Sequence, residues 1–389
     1  MIHRILIPLL LSIILPEIYL DMHFLRRHFR QHSWWRLVWW LPTVVMVGYT
    51  LILAGLHTFA PADVVWLKVY MALFAFTSGP KLFFAVFSLA GYMIKKIFHT
   101  TYNYGNVLGI FVAISVVVSY FYACVYGIRQ FVVKRVELEF ADLPPAFDGY
   151  RIVLFSDAHV GSFHGRNKRL LKRDLDSINA QKADMIVFTG DLENLQPSEI
   201  KPFVGELSRL SARDGVFSVL GNHDYSFYIT ADSVVKAANE RETQRLERDC
   251  GWLLLQNEHR IIRRGADSLV IAGEGNYGGG IFPERCDLHA SLSGLRPGAF
   301  VVMLQHTPKA WRSDILPHSN VQLTLSGHTH GGQMSLFGLR PTEIHGDPDF
   351  GLYEEGNRKL YVTGGIGALV PFRFNMPAEI IVFTLKQKR

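Results

Sequence analysis

Ser326-Gly327-His328-Thr329-His330-Gly331-Gly332-Gln333 sets two imidazoles one residue apart at the end of the apolar run Val321 to Leu325, with glycines on both sides. In extended backbone, residues i and i+2 point to the same side, so His328 and His330 can face one site. Neutral imidazoles are good ligands for first-row transition metals. A solvated surface turn explains an isolated His-x-His equally well, so the stretch carries weight only if other parts of the chain answer it.

Four other β-type runs end in residues of the same kind. Ile152 to Ser156 leads to Asp157 and His159, Met185 to Thr189 leads to Asp191, and Val216 to Leu220 leads to Asn222, His223 and Asp224, while Val301 to Gln305 leads to His306. Singly, each has a plain structural explanation, because an Asp after a strand commonly caps a helix or shapes a turn. Jointly they form a pattern, since ligands in open α/β sheets bind beyond the carboxyl ends of the strands and five tips can converge there. Between the earlier runs lie helical patterns, Leu171, Leu175 and Ile178 on one face and Ile200, Phe203, Val204 and Leu207 on another. Phe131 to Phe140 largely alternates apolar and polar residues and reads as a leading strand, and further β runs cover Leu269 to Ala272, Leu360 to Thr363 and Ile380 to Leu385. Strands alternating with amphipathic helices imply an α/β domain, placed at residues 150–389 behind a connector at 129–149.

Two Asp, one Asn and four His offer mixed oxygen and nitrogen ligands, which suit Mn, Fe or Zn better than Ca or Mg. Seven ligands exceed the need of one tetrahedral ion. Two divalent ions about 3.5–4 Å apart, sharing a carboxylate and a hydroxide, would use them all and suit in-line attack on phosphorus.

Asp-x-His, Gly-Asp, Gly-Asn-His-Asp, a later His and Gly-His-x-His, in this order, resemble the calcineurin-like metallophosphoesterase superfamily over about residues 150–385. Gly-His-Thr-His-Gly-Gly-Gln, with Gly364-Gly365-Ile366-Gly367 and Arg373-Phe374, resembles its bacterial membrane-associated or exported branch. The resemblance implies a four-layer α/β/β/α sandwich. It assigns Asp157, His159, Asp191 and His330 to one metal, and Asp191, Asn222, His306 and His328 to a second. It makes His223 the group that contacts the phosphoryl oxygen or protonates the leaving group, with adjacent Asp224 orienting it. One departure stands out: many relatives carry an acid where this chain has Asn194, and Glu193 lies one place early. His164, Arg166 and Arg373 are open between phosphate contact and structural roles.

The 389 residues are 49% apolar and 19% charged, and most of the apolar excess precedes residue 128. Residues 1–128 therefore read as an all-α membrane region of about four helices, with spans near 5–20, 37–59, 64–94 and 106–127. The first has no small-residue cleavage site and reads as a retained span rather than a signal peptide. Trp34, Trp35, Trp39 and Trp40 form an interfacial belt at the start of the second. The third is interrupted by Lys68, Gly79-Pro80 and Lys81, which favours one tilted or kinked crossing. Lys81 fits either a functional charge or a polar seam between helices. The first loop holds Arg26, Arg27, Arg30 and Arg36 and the third holds Lys95 and Lys96. The positive-inside rule then puts those loops in the cytoplasm and the catalytic domain on the extracytoplasmic side of the inner membrane.

A net charge of +6 gives no reason to invoke nucleic acid. Cys250 and Cys286 lack the spacing that would mark a disulfide framework. The expectation is a membrane-anchored, dinuclear-metal hydrolase of phosphate monoesters or diesters, acting by a bridging hydroxide on a small-molecule or lipid substrate. An inactive sensor or scaffold is the alternative, disfavoured because all seven ligands and His223 are retained. A transporter is disfavoured because Lys81 is the one charge clearly deep in a span.

Overall fold

The computed structural model describes residues 2–26, 34–56, 63–279, 282 and 284–388. It divides into two compact units, Met1–Cys124 and Val125–Arg389. Arg27 and Arg30 of the first loop, and the end of the expected 37–59 span, fall outside the described residues.

In the first unit, four helices are long and apolar enough to cross a membrane: Leu6–Leu25, Trp34–Gly55, Val64–Ile97 and Tyr104–Arg129. The third breaks at Thr77 (φ −120°, ψ −72°), after which Ser78–Ile97 begins a new helix with Pro80 in its first turn. Proline is tolerated there because the first turn has no intrahelical acceptor for its missing N–H.

Lys81 lies in a polar seam. Its Nζ donates to Glu17 Oε2 at 2.5 Å and to Thr43 Oγ1 at 3.3 Å, Thr43 Oγ1 donates to the same Glu17 oxygen, and the ammonium sits 4.9 Å from the centroid of the Trp39 ring. Glu17 is fully buried. Three helices are therefore tied by one ion pair, and neither charge can be left alone in an apolar medium without a large desolvation penalty.

The second unit holds twelve strands: β1 (Phe131–Phe140), β2 (Arg151–Phe155), β3 (Met185–Phe188), β4 (Val216–Ser218), β5 (Leu253–Leu254), β6 (Glu258–Arg264), β7 (Asp267–Gly273), β8 (Phe300–Leu304), β9 (Leu323–Ser326), β10 (Gly351–Glu355), β11 (Arg358–Val362) and β12 (Ala378–Gln387). They form two six-stranded sheets, ordered β1-β12-β2-β3-β4-β5 and β10-β11-β9-β8-β7-β6. β2 to β5 run parallel, as do β7, β8, β9 and β11.

Period-two alternation inside the strands builds the layers. Ile152 and Leu154 of β2 join Val187, Val302, Leu304, Leu323 and Leu325 in the core between the sheets. Val153 and Phe155 point the other way, onto Leu171, Leu175 and Ile178 of the helix Lys168–Ala180. On the second sheet Val301 and Met303 meet Leu288, Trp311 and Ile315. Strands covered on both faces must be apolar throughout, and three apolar layers between four structural ones make the α/β/β/α sandwich. The expected helix over Ile200 to Leu207 is broken into the 3-10 turn Lys201–Phe203 and the short helix Val204–Leu207, with Pro202 in the turn. All three cysteines are free thiols, and Cys250 is buried in the helix-facing layer.

The Glu17–Lys81 pair gives a prediction. Glu17→Ala should destabilise the detergent-solubilised protein by about 3–5 kcal/mol, and Glu17→Met with Lys81→Met should recover most of that loss. Denaturant unfolding of Glu17→Met, Lys81→Met and the double would check it, and additive losses would contradict the pairing.

Candidate metal centre

The tips of β2, β3 and β4 from one sheet meet those of β8 and β9 from the other, and all seven sequence-selected ligand candidates come together there. Five of them are in left-handed backbone: Asp157 (φ 50°), His159 (44°), Asp191 (61°), His328 (76°) and His330 (53°). For non-glycine residues this conformation costs about 1–3 kcal/mol each and persists only where surrounding structure imposes it. The imposition is visible. Gly367 N and Ile366 N donate to the carbonyls of Asp157 and Ser156, and His159 N and Asp157 N donate to Asp191 and Gly190. Gly221 and Gly327 let the loops close: a Cβ on Gly221 would lie 2.2 Å from Asp191 Oδ1, and one on Gly327 would lie 2.2 Å from Asp157 Oδ2.

Asp191 is central. Its Oδ1 accepts the His223 amide at 2.9 Å, while Oδ2 lies 3.3 Å from His306 Nε2 and 3.7 Å from His159 Nε2. On the His306 side, Nε2 is 3.0 Å from Asn222 Oδ1 and 3.1 Å from His328 Nδ1. On the His159 side, His330 Nε2 is 3.5 Å from Asp157 Oδ1. Ligand atoms around one ion with bonds of about 2.1 Å stand roughly 3.0–3.4 Å apart at octahedral to tetrahedral angles, so the spacings on the His306 side fit, while the 3.5 and 3.7 Å spacings on the His159 side are slightly longer. The ligand atoms group as Asp157, His159 and His330, as Asp191, His306 and His328, and as His159, Asp191 and His223, each set within 4.8 Å. His159 Nε2 is buried and makes no hydrogen bond among the described residues, which suits a nitrogen atom meant for metal rather than for protein.

Tautomers and rotamers are set from behind. His306 Nδ1 meets the Thr189 carbonyl at 2.7 Å, so it carries the proton and Nε2 is presented to the site. Asn222 Nδ2 donates to Tyr228 Oη at 2.5 Å, which turns Oδ1 toward His306. Tyr228 also lies against His223, with ring centroids 4.3 Å apart and planes tilted by 38°. Nothing in the local sequence marks Tyr228, and no spacing rule connects it to Asn222.

Burial holds His159 and His328 down to about 3, helped by the nearby His223 and His306 rings, and lowers His330 and His223 as well. These rings are neutral and ligand-competent at physiological pH. Burial opposes charge on Asp191 too, but the adjacent His306 and His223 carry its carboxyl well below the usual range. His306 answers in kind: burial disfavours its charge, yet Asp191 raises it to about 9. Burial pushes Asp157 up to about 7.

One sequence expectation needs correction. Asp224 does not orient the His223 ring; its carboxylate accepts the amides of Gly221, Asp191, Leu192 and Glu193 at 2.7–3.2 Å. Adjacent residues in the 3-10 turn Asn222–Tyr225 point in different directions, and Asp224 turns inward to clamp the β3 and β4 tips together. His223 Nδ1 instead meets the main-chain carbonyl of Asn194 at 2.5 Å. The position at which this chain lacks the common acid thus orients His223 through its backbone, while the Asn194 side chain donates to Ser162 Oγ at 3.3 Å. Arg373 is buried, with its guanidinium bonded to the carbonyls of Gly364, Gly365, Gly367, Met376 and Pro377, a structural brace rather than a phosphate contact. His164 is exposed beside Phe203, and the side chain of Arg166 lies outside the described part.

Residues 150–332 match the family model for calcineurin-like phosphoesterases, and residues 3–129 match the model described as a probable calcineurin-like phosphoesterase transmembrane domain. An uncharacterized metallophosphoesterase of Bacillus subtilis, YkuE, is 34% identical over 253 residues, which cover 63% of this chain and 82% of that protein. The chain belongs to the calcineurin-like phosphoesterase family. A transmembrane protein with metallophosphoesterase domain from Danio rerio is 33% identical over 264 residues, 66% of this chain and 57% of its own. The uncharacterized metallophosphoesterase Cj0846 of Campylobacter jejuni is 30% identical over 265 residues, 66% of this chain and 64% of its own. The alignments thus span about three-fifths of the length of these two relatives. Family membership implies divalent ions, and the residue set gathered at the strand tips of this chain fits them.

Because Asp157 at about 7 and His306 at about 9 hold protons in the metal-free protein near neutrality, ion binding must displace them. Affinity for Mn(II) should therefore rise with pH, being roughly tenfold or more weaker at pH 6 than at pH 8. Chelator competition at the two pH values checks this, and a pH-independent affinity would contradict it.

Proposed function

We propose that the chain is a membrane-anchored phosphoesterase in which Asp157, His159, Asp191 and His330 hold one divalent ion and Asp191, Asn222, His306 and His328 hold a second. The position of Asp191 Oδ2 between His159 Nε2 and His306 Nε2 carries the reading, because one carboxylate oxygen addressed by two ligand groups is what a bridged pair requires. When bound, such ions concentrate positive charge on the phosphoryl oxygens and supply an activated water at neutral pH.

The remaining steps belong to the side chains. His223 is held by the Asn194 carbonyl at Nδ1 and has a ring nitrogen within the His159–Asp191 group. We assign it the proton that the leaving oxygen needs as the ester bond breaks. The Asn194 carbonyl is its positioning group, and the Asp224 clamp acts one step further back. Beside the centre lies a cleft of about 680 Å³ that shares Asn222 and His328 with it and is lined outward by Asn276, Tyr277, Phe282 and Lys309. Its size is that of a pocket for an organic ligand rather than for bare phosphate, which supports a monoester or diester of a substantial group; its charged lining is Lys309, paired with Asp347 at 3.7 Å, and Asp349.

The spans support placement in a membrane, and the basic loops support an extracytoplasmic catalytic domain. Among the described charges of the first loop, Arg26 and Arg36 both pair with Asp21; the orientation rule counts Lys and Arg themselves, since acids contribute little to it. Reporter fusions at residue 100 and after residue 128 should report opposite sides of the membrane, and the same side would refute this topology.

Hydrolysis of p-nitrophenyl phosphate and bis-p-nitrophenyl phosphate with added Mn(II) tests the assignment. His223→Ala should keep its metal while kcat falls about 10²–10⁴-fold, whereas Asp191→Asn should lose activity and the pairing of its two ions. Wild-type rates in either variant would overturn these roles.

A further inference from the structure

Between Gln333 and His345 the chain leaves the metal centre and returns to its cleft. Leu336 and Leu339 pair their amides and carbonyls in both directions at 2.9 and 3.0 Å, closing a two-residue turn. Phe337 (φ 52°) and Gly338 (φ 86°) occupy that turn, the dihedral signature of a type I′ turn, which normally takes Asn or Gly at its first position. Phenylalanine in left-handed backbone is an outlier, and here it gains no packing in return. Phe337 is 96% exposed, Ile344 85%, Leu339 71% and Leu336 51%. Four large apolar side chains on one projecting segment are unusual for a water-facing surface.

The segment is firmly mounted. Gln333 Nε2 donates to the carbonyls of Val370 and Phe372, Phe374 N donates to Gln333 O, and Ser335 N donates to Phe374 O. At the other end Arg340 is bonded to Asp349 at 2.8 Å and paired with Glu343. The 367–374 strap that carries this root also meets Gly127 and Ile128, which end the last candidate span Tyr104–Arg129 and lie within the Val125–Arg389 unit. A Cβ on Gly127 would collide with the Arg373 carbonyl, and Ile128 shares a crevice with Pro371, Phe372 and Arg373. Within this unit the apolar tip therefore belongs to the neighbourhood through which the chain arrives from its membrane helices.

We propose that the Leu336–Leu339 hairpin, with Ile344, is a membrane-docking wedge that inserts into the interfacial layer of the bilayer in which the chain is anchored. The partner is a lipid surface and the contact is apolar. Arg340, the described cation of the segment, is already committed to Asp349 and Glu343, so anionic lipid is not required. Because the hairpin starts six residues after His330 and Thr342 lines the cleft, docking holds the centre at the level of lipid head groups. That consequence rests on the phosphoesterase reading above; the docking itself does not.

The test uses the full chain in phosphatidylcholine vesicles, with and without phosphatidylglycerol. Phe337 is replaced by photoreactive p-benzoylphenylalanine, and in a separate protein Leu253 is replaced in the same way. Leu253 is on β5, at the opposite edge of its sheet from β1. On irradiation, lipid adducts should form at position 337 at least tenfold more than at position 253. The yield should be equal in neutral and anionic vesicles and unaffected by salt. Comparable yields at the two positions overturn the proposal, as do cross-linked dimers in place of lipid adducts, which would make the hairpin a contact between copies. Hydrolysis of bis-p-nitrophenyl phosphate by the same samples reads the enzymatic assignment separately, so a failure of either idea is distinguishable from failure of the other.

Discussion

The buried carboxylate of Asp191 is the constraint on which the site depends. A negative charge shut away from water is tolerable only when it is surrounded by donors or cations. Asp191 has an amide on one oxygen and two imidazoles facing the other. Its neighbour Asp224 removes a second carboxylate from the centre by spending it on four backbone amides. Those amides belong to the tips of β3 and β4, so the same clamp that satisfies Asp224 also fixes Asp191 and His223 in position. The centre and the loops that hold it are one hydrogen-bonded object.

This object is strained, and much of the strain sits on the ligands themselves. Five candidate ligands in left-handed backbone each carry an energy comparable to burying one Leu or Phe side chain, about 1.5–3 kcal/mol. The fold tolerates it because the strands behind these tips are anchored on both faces, between the sheets and against the outer helices. The apolar layers do the stabilising, and the polar tips are free to adopt conformations that suit an ion pair.

That division explains what the sequence can and cannot reveal. β2, β3, β4, β8 and β9 are legible because strands buried on both faces must be runs of apolar residues, and their ends are marked by an abrupt change to Asp, Asn and His. β5, β6 and β10 carry no such mark. β6 and β10 are edge strands whose exposed side carries charge, as in Arg260, Arg263, Glu354 and Glu355, and β5 is only two residues long. The helix Ser233–Asp249 escapes a search for apolar periodicity because Leu246 is its one large apolar buried residue. Contacts between distant positions leave no local trace, which is why the Tyr228 and Asn194 contributions needed the structure. Glu17 and Lys81 are also far apart in sequence. Adjacency misleads in the opposite direction at Asp224, where neighbours in a tight turn face different ways.

The membrane part and the catalytic part are each self-consistent, and the central claim concerns the latter: two ions share Asp191. Low-temperature electron paramagnetic resonance of the Mn(II)-loaded protein addresses it directly. The account predicts an exchange-coupled pair signal at two ions per chain that gives way to uncoupled Mn(II) in Asp191→Asn. An isolated six-line Mn(II) spectrum at every loading of the wild type, or coupling that survives in Asp191→Asn, would contradict it.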